Sequence, residues 1–200
     1  LADFAVDNDL LVISDEVYER IVFEGRHISI ASLPEMFERT ITVFSCSKTY
    51  AMSGWRVGWT IAPDDIMVEL GKVHQNVITC APSFIQVGAL AALLKGEEAL
   101  NGMVETYRMR RDYVAAALND IPGIHCKPPE GTFYAFPTFD LDMDSFDFAA
   151  FLLKEARVAV TPGGAFGENA CRHFRLSFAT SMENLREGIA RIREAMERVV

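Results

Sequence analysis

One lysine in this sequence stands among side chains that could hold a phosphate group and support amine chemistry. Lys48 follows Ser45 and Ser47, and Arg56 comes shortly after it. Hydroxyl groups are compact hydrogen-bond donors, and a guanidinium group binds phosphate through two parallel hydrogen bonds. A lysine between buried strands cannot easily extend to solvent, so its amine is either paired or partly deprotonated. Either state suits a lysine that forms a Schiff base.

Apolar runs on both sides of this stretch predict the elements that position it. A β-branched run ending at Phe44 and a second run over residues 57–62 predict a strand, a reactive loop carrying the lysine, and another strand. Upstream, residues 10–14 form a continuous apolar run, which predicts a strand buried on both faces of a parallel sheet. Asp15 follows at its carboxyl end, where ligands bind in open α/β sheets.

The stretch from Ser45 to Gly58 closely resembles the cofactor-lysine signature of class I/II aminotransferases, which are fold-type I pyridoxal-phosphate enzymes. The resemblance implies that Lys48 forms the Schiff base with pyridoxal 5′-phosphate. It also implies that Ser45, Ser47 and Arg56 hold the cofactor phosphate. A surface lysine and arginine beside an ordinary hairpin would be the alternative interpretation, but the spacing of the whole motif favours the family.

A second motif, Asp15-Glu16-Val17-Tyr18, precedes the lysine at a separation similar to that in the family. The resemblance implies that Asp15 pairs with the protonated pyridine nitrogen and that Tyr18 hydrogen-bonds the ring oxygen O3′. A carboxylate beside that nitrogen keeps it charged, and the charged ring withdraws electrons from a substrate carbanion. Glu16 is expected to be a solvated or structural charge, and His27 to lie on the surface.

A third motif lies near the carboxyl terminus. Residues 173–179 alternate as a strand does, with Phe174, Leu176 and Phe178 on one face and Arg175 on the other. Arg175 matches the family arginine that binds the substrate α-carboxylate. A planar guanidinium group against a planar carboxylate fixes the direction of the substrate Cα–H bond. A surface ion pair would be the alternative role for this residue.

The resemblance implies an α/β protein in two parts. Residues 1–105 are expected to form the C-terminal portion of the large cofactor-binding domain, a mostly parallel sheet with helices. Residues 106–200 are expected to form a smaller α+β domain, with residues 97–119 as the joining helix. Members of the family carry a further N-terminal part comparable in size to this whole chain. We therefore expect the chain to be the C-terminal half of a longer protein. A chain that truly began at Leu1 is expected to bind the cofactor weakly or not at all.

Local patterns predict several further elements. A helix opens at Pro63, and its residues Ile66, Leu70, Val73 and Val77 recur at helical spacing as a core face. Downstream, we predict a strand over residues 132–137, a capped helix over 145–156 and a strand over 158–160. Ser181 is predicted to cap a final helix with one apolar stripe.

Composition narrows the class of protein. The net charge of −9 and the lack of a basic run with interleaved aromatic residues argue against a nucleic-acid partner. The four cysteines have no metal-binding spacing, which predicts no metal site and reduced, buried thiols in a cytoplasmic protein. No run reaches the ~18 to 20 apolar residues of a membrane span.

The motifs together predict the ping-pong transfer of an amino group between an amino acid, aspartate-like or broad in range, and a 2-oxo acid. The resemblance implies a homodimer, because a neighbouring subunit completes the family's site. Three alternatives stay open at this stage. They are a pyridoxal-phosphate β-lyase that cleaves C–S bonds, an effector-sensing domain of a transcription regulator, and an inactive interaction module.

Overall fold

The computed structural model describes residues 1–199. The chain divides into two compact units, Leu1–Gly102 and Met103–Val200. The division falls within the long helix α5 (Glu97–Asn119), whose bounds match the sequence prediction. A domain boundary between residues 105 and 106 stays a prediction.

The first unit is built on a three-stranded sheet in the order β1 (Val12–Asp15), β2 (Thr40–Ser45), β3 (Gly58–Ile61). β1 and β2 are parallel, whereas β2 and β3 are antiparallel, so this sheet is mixed. The helices of this unit are α1 (Ala2–Asp7), α2 (Cys46–Thr49), α3 (Asp64–Val77) and α4 (Ser83–Lys95). The predicted α/β class is confirmed.

Two burial predictions for the first unit are wrong. Ile13 in β1 is 74% exposed, so this strand is not buried on both faces within the part of the chain that the structure describes. In α3 no residue is buried, and Val77, at the end of the predicted core stripe, is 73% exposed. Ile66 and Leu70 of the predicted stripe are half-buried, whereas Val73 and Val77 are exposed, so the stripe forms no core face within the described residues.

The second unit combines helices with two small antiparallel sheets. One sheet pairs β4 (Ile124–His125) with β6 (Thr138–Phe139), and the other has the order β5 (Tyr134–Ala135), β8 (Phe174–Ser177), β7 (Thr161–Pro162). α6 (Ser145–Phe151) continues as a π-helical turn, Leu152–Ala156, and α7 (Met182–Met196) follows β8.

The core of the second unit is aromatic and aliphatic. The rings of Phe139 and Phe148 are stacked with centroids 3.9 Å apart, and Phe174 packs against Phe148 at 5.2 Å. Residues of α7 that share its apolar stripe are also buried: Leu185, Ile189, Ile192 and Met196. Ser181 Oγ accepts a hydrogen bond from the Asn184 N–H at 3.1 Å, which confirms the predicted cap.

Other local predictions for the second unit are corrected. The strand predicted over residues 158–160 is displaced to Thr161–Pro162, and the strand over 132–137 is confined to Tyr134–Ala135. The capped helix predicted over residues 145–156 is confirmed as α6 with its π-helical turn, and its cap is Asp144, which accepts hydrogen bonds from the Phe146 and Asp147 N–H groups. The buried Ser145 hydroxyl accepts a hydrogen bond from the Gly164 N–H.

All four cysteines are free, but only Cys46 and Cys126 are buried, whereas Cys80 and Cys171 are exposed. The prediction of buried thiols therefore holds for two of them. Across residues 1–199, none of the helices combines the length and the apolar character that a bilayer crossing requires.

Candidate cofactor and substrate sites

Lys48 lies on a one-turn helix rather than on the predicted loop. β2 ends at Ser45, whose backbone is extended, and α2 begins at the next residue. The Ser45 Oγ accepts a hydrogen bond from the Ser47 N–H at 3.0 Å, which satisfies an amide that the first turn leaves unpaired. The cap therefore turns the chain directly from strand into helix and holds the half-buried Lys48 close to the end of β2.

The chain then returns to the sheet through a strained residue. Arg56 has φ 54° and ψ 50°, a left-handed conformation that costs a non-glycine residue roughly 1–2 kcal/mol. Its Nη1 donates a hydrogen bond to the Ser53 carbonyl at 2.9 Å. Gly58 pairs with Ser45 across the sheet, and a Cβ atom there would lie 2.4 Å from the Phe44 carbonyl oxygen. The strands approach this closely only because residue 58 is glycine.

Two glycines make room for aromatic rings of the lysine segment. A Cβ atom on Gly88, in α4, would lie 2.5 Å from Cζ3 of Trp55. A Cβ atom on Gly96, at the end of α4, would lie 3.1 Å from the Tyr50 ring. The segment between Lys48 and Arg56 is thus seated against α4 at both of its ends.

Asp15 and Ser45 lie on the same face of the sheet. Asp15 is paired with Val43 in the parallel register of β1 and β2, and Ser45 is two residues further along β2. Because side chains alternate along a strand, Val43, Ser45 and Asp15 share a face, at the carboxyl ends of neighbouring parallel strands. The Asp15 carboxylate is exposed and accepts one long hydrogen bond, from the Val17 N–H at 3.4 Å. Tyr18 is half-buried in the turn that follows.

Two of the charged side chains predicted for the cofactor, Asp15 and Arg56, have no ion-pair partner among residues 1–199. Neither Asp15 nor Arg56 forms a salt bridge there, whereas Arg20 pairs with Glu97 at 2.6 Å and Arg39 with Asp9 at 3.2 Å. The Arg56 guanidinium can therefore accommodate an anion, and the Asp15 carboxylate can accommodate a cationic N–H group. These donors and acceptors, with the Ser47 hydroxyl, fit the phosphate and the ring nitrogen of pyridoxal 5′-phosphate, whereas the Ser45 hydroxyl here donates a long hydrogen bond to the Val57 carbonyl at 3.3 Å.

Arg175 lies in the second unit between two aromatic rings. Its Cζ is 4.3 Å from the centroid of Tyr134 and 4.9 Å from that of Phe166. Its Nη2 donates a long hydrogen bond to Thr161 Oγ1, at 3.4 Å. Within the described residues Arg175 forms no salt bridge, so a surface ion pair is not its role there. The two rings lie within cation–π distance of the guanidinium group, and such contacts hold the cation without the ion pair that would occupy its donors.

The sequence did not predict that Glu16 is buried. The Glu16 residue is 5% exposed, and its carboxylate accepts hydrogen bonds from Ser29 Oγ at 2.7 Å and Ser14 Oγ at 3.0 Å. Nε2 of His27 lies 2.8 Å from the other carboxylate oxygen. Burial by itself would raise the pKa of Glu16, but the hydrogen bonds from Ser29, His27 and Ser14 outweigh it and hold the pKa below its usual value. The alternation of Ser14 and Glu16 along one strand face was the available signal.

Comparison with known proteins identifies the class. The family model for aminotransferase class I and II matches residues 1–192. This chain therefore belongs to the class I and II aminotransferase family, as its motifs predict. The family depends on pyridoxal phosphate, which agrees with the donor set around Lys48.

Individual relatives carry aminotransferase names. An aspartate aminotransferase of Musicola paradisiaca (strain Ech703) is 46% identical over 199 residues, covering 98% of this chain and 50% of that protein. An aromatic-amino-acid aminotransferase 2 of Thermococcus litoralis is 41% identical, covering 98% and 51%. The chain spans about half the length of the curated relatives it matches.

Solved structures agree with the fold. The aromatic aminotransferase from Pyrococcus horikoshii OT3 superposes with a TM-score of 0.95 at 44% identity, over 98% of this chain and 54% of that one. The aspartate aminotransferase from Rhizobium meliloti gives a TM-score of 0.91 at 35% identity, over 98% and 52%. These similarities confirm the predicted fold-type I architecture.

Proposed function

We propose that the protein carrying this chain transfers an amino group between an amino acid and a 2-oxo acid with pyridoxal 5′-phosphate as cofactor. The observation that carries the proposal is the set of charged side chains that form no ion pair within residues 1–199, Asp15, Arg56 and Arg175, at the positions of three family motifs. When bound, the cofactor supplies an electron-withdrawing ring that stabilises the negative charge left when the substrate Cα–H bond breaks.

Lys48 has two roles in this proposal. Its Nζ would hold the cofactor covalently until the amine of the substrate displaces it, and the freed Nζ would then act as the general base that takes the proton from the substrate Cα. The short helix capped by Ser45 supports both roles, because it directs the amine from the end of β2 without a flexible loop.

Five other residues bind and orient the cofactor in this proposal. Ser45, Ser47 and Arg56 hold the phosphate, while the Asp15 carboxylate accepts a hydrogen bond from the ring N–H and keeps that nitrogen charged. Tyr18 donates its hydroxyl hydrogen bond to the ring oxygen. Arg56 is the strongest of the phosphate ligands, since it combines a full charge with a planar fork.

Arg175 fixes the substrate. Its guanidinium group donates two parallel hydrogen bonds to the α-carboxylate, and the cation–π contacts with Tyr134 and Phe166 restrict its movement. A substrate fixed in this way presents its Cα–H bond in one direction, which is the positioning that proton removal requires.

The substrate range and the assembly complete the proposal. The relatives' names include aspartate and aromatic amino acids, so we propose an aspartate-like or broad substrate range. The protein is a cytoplasmic homodimer in this proposal. The aminotransferase names of the relatives favour amino transfer over C–S β-elimination and over an effector-sensing role.

The test uses the complete protein that carries this chain. The purified protein with pyridoxal 5′-phosphate should show a visible absorption band, and borohydride should attach the cofactor to the peptide containing Lys48. Addition of an amino acid should abolish the band, and a 2-oxo acid should restore it. Lys48→Ala should lose the band and the label, whereas Lys95→Arg, at an exposed lysine of α4, should retain both. A complete protein with no band and no labelled peptide would refute the proposal.

A further inference from the structure

The acid next to Asp15 is anchored on the opposite side of the sheet. Side chains alternate along β1, so Glu16 projects away from the face that Asp15 shares with Ser45. The Glu16 carboxylate is buried and accepts a hydrogen bond from the Ser14 hydroxyl of β1. In the segment that follows, it contacts the Ser29 hydroxyl and the His27 ring by hydrogen bonds. Burying a carboxylate is costly unless it is hydrogen-bonded, so this arrangement strongly prefers a single position of Glu16.

The backbone of Glu16 is held as firmly as its side chain. Its N–H donates to the Val43 carbonyl at 2.9 Å, which extends the pairing of β1 and β2 by one residue. Its own carbonyl accepts a hydrogen bond from the Glu19 N–H at 3.1 Å, which begins the turn that carries Tyr18. The two residues proposed to contact the cofactor ring, Asp15 and Tyr18, therefore lie on either side of Glu16, whose backbone and side chain are both held by hydrogen bonds.

The Asp15 side chain, in contrast, is held by few interactions of its own. Its carboxylate is exposed, and its only side-chain hydrogen bond in the described part of the chain is the 3.4 Å contact from Val17. The direction of its Cβ is set by the backbone, and the backbone on the carboxyl-terminal side is fixed through Glu16. A displacement of Glu16 would rotate the peptide that joins it to Asp15 and would move the Asp15 carboxylate with it.

We infer that Glu16 is a positioning residue, which fixes the direction of the Asp15 carboxylate from the reverse face of the sheet through its contacts with Ser14, His27 and Ser29. The inference rests on the proposed role of Asp15. Residues 27–29 contain none of the proposed cofactor ligands. On this inference they nevertheless support the cofactor, because they hold Glu16.

The test uses the complete protein and compares Glu16→Ala and Glu16→Gln with Asp15→Asn. Glu16→Gln keeps an oxygen that can accept from Ser14 and Ser29 but places an amide group beside His27, so its effect should be intermediate. Glu38→Gln, at an exposed acid with no side-chain hydrogen bond or ion pair in the described residues, is the matched control. The measurements are the dissociation constant for pyridoxal 5′-phosphate and the pH midpoint of the visible band.

Glu16→Ala should weaken cofactor binding by about 10-fold, the loss typical when a residue that orients a ligand contact is removed. Its spectral midpoint should move toward that of Asp15→Asn, since both changes remove the carboxylate from the ring nitrogen. Glu38→Gln should change neither quantity. If the Glu16 variants lower the melting temperature but leave the dissociation constant and the spectral midpoint unchanged, the positioning role is overturned.

A second readout needs no cofactor. Hydrogen exchange of the Glu16 and Glu19 amides in the cofactor-free protein should accelerate in Glu16→Ala and Glu16→Gln and stay unchanged in Glu38→Gln. A wild-type protein that binds no cofactor would refute the proposed function itself. Unchanged exchange at these two amides would separately refute the anchoring by Glu16.

Discussion

Arg175, the residue proposed to bind the substrate carboxylate, is held by aromatic side chains. An acidic neighbour would hold the guanidinium group but would also occupy its donors. The rings of Tyr134 and Phe166 instead lie 4.3 Å and 4.9 Å from its Cζ, and neither ring accepts its N–H groups as a carboxylate would. Cation–π contacts of this kind contribute about 0.5–1 kcal/mol at exposed sites, so each ring makes a modest contribution to positioning.

Replacing these groups should affect substrate binding more than turnover. In the complete protein, Phe166→Leu should raise KM for the amino acid about 2- to 5-fold, the equivalent of one lost cation–π contact. Arg175→Lys should raise KM further, because an ammonium group cannot form the two parallel hydrogen bonds. Steady-state kinetics measure both effects, with Phe4→Leu in α1 as the control. Equal KM values for Phe166→Leu and the wild type would contradict the role of the ring.

Thiol reactivity should divide the four cysteines into two pairs. Burial raises the pKa of the Cys126 thiol to about 11 and also raises the pKa of Cys46, so both stay protonated at pH 8. Cys80 and Cys171 are exposed. Iodoacetamide at pH 8 should therefore label Cys80 and Cys171 in the native protein and all four cysteines in denaturant, as read by peptide mass spectrometry. Rapid native labelling of Cys126 would contradict its burial.

At the scale of elements, the sheet depends on the absence of one side chain. Gly58→Ala would place a Cβ atom 2.4 Å from the Phe44 carbonyl oxygen, and that oxygen belongs to the backbone and cannot move aside. We expect a loss of about 1–3 kcal/mol in the free energy of unfolding, as for other overpacked positions. Gly54→Ala is the control, because its added methyl group meets no atom within 4 Å. Urea denaturation measures both, and equal stabilities would contradict the close contact.

The turn after β1 should have an acid-sensitive contribution to stability. The folded-state pKa of Glu16 is held below its usual value of 4.5, because hydrogen bonds from Ser29, His27 and Ser14 outweigh the opposing effect of burial. Its ionised form therefore stabilises the fold at pH values above 4.5, and that contribution is lost as the pH falls through the lower folded-state pKa. The difference in unfolding free energy between wild type and Glu16→Gln should shrink below pH 4.5. A difference independent of pH from 3 to 7 would contradict this assignment.

Local patterns predicted elements better than they predicted burial. The bounds of α5, the alternation around β8 and the cap of α7 follow from the sequence, because each depends on neighbouring residues. The stripe of α3 was equally regular, yet none of its side chains is fully buried, since periodicity cannot tell whether another element covers a helix face. The strand predicted over residues 158–160 was displaced because a short apolar run does not fix its own register.

The candidate site shows the same division. Lys48, Asp15 and Arg175 could be proposed as site residues because their motifs are short and local. The contact of Glu16 with His27 and Ser29 was missed because it joins residues more than ten positions apart, and no local pattern encodes it. The helix under Lys48 was missed for a different reason. The Ser45 cap was present in the sequence, but four residues are too few for a helical periodicity to appear.

On the scale of the whole molecule, the two units differ in how they bury apolar side chains. Among residues 1–199, the largest fully buried side chains of the first unit are Ile21 and Met36, and the others lie in the second unit. The helix α4 is apolar on all sides, and such helices are usually buried. Its large side chains are nevertheless exposed in this chain: Phe84, Val87, Leu90, Leu93 and Leu94.

The 200-residue chain should therefore bind hydrophobic dyes when it is studied by itself. We expect strong fluorescence with 8-anilinonaphthalene-1-sulfonate under native conditions, because contiguous exposed apolar patches of this kind are rare on stable monomers. Phe84→Gln combined with Leu94→Gln should reduce the signal, and Phe146→Gln, an exposed phenylalanine of the second unit, should reduce it less. Dye binding no stronger than that of a compact monomer, or unchanged by the α4 substitutions, would contradict the exposed helix faces.

Because Trp55 packs against Gly88, tryptophan fluorescence can report on the structure around the lysine segment. The sequence contains two tryptophans, Trp55 and Trp59, and the Trp59 ring stacks on Phe44 with centroids 5.6 Å apart. Both indole rings flank the strained Arg56 and lie in the first unit, whereas the second unit has tyrosine but no tryptophan. Indole emission thus observes the lysine segment selectively, and its unfolding can be followed separately from that of the second unit without any label.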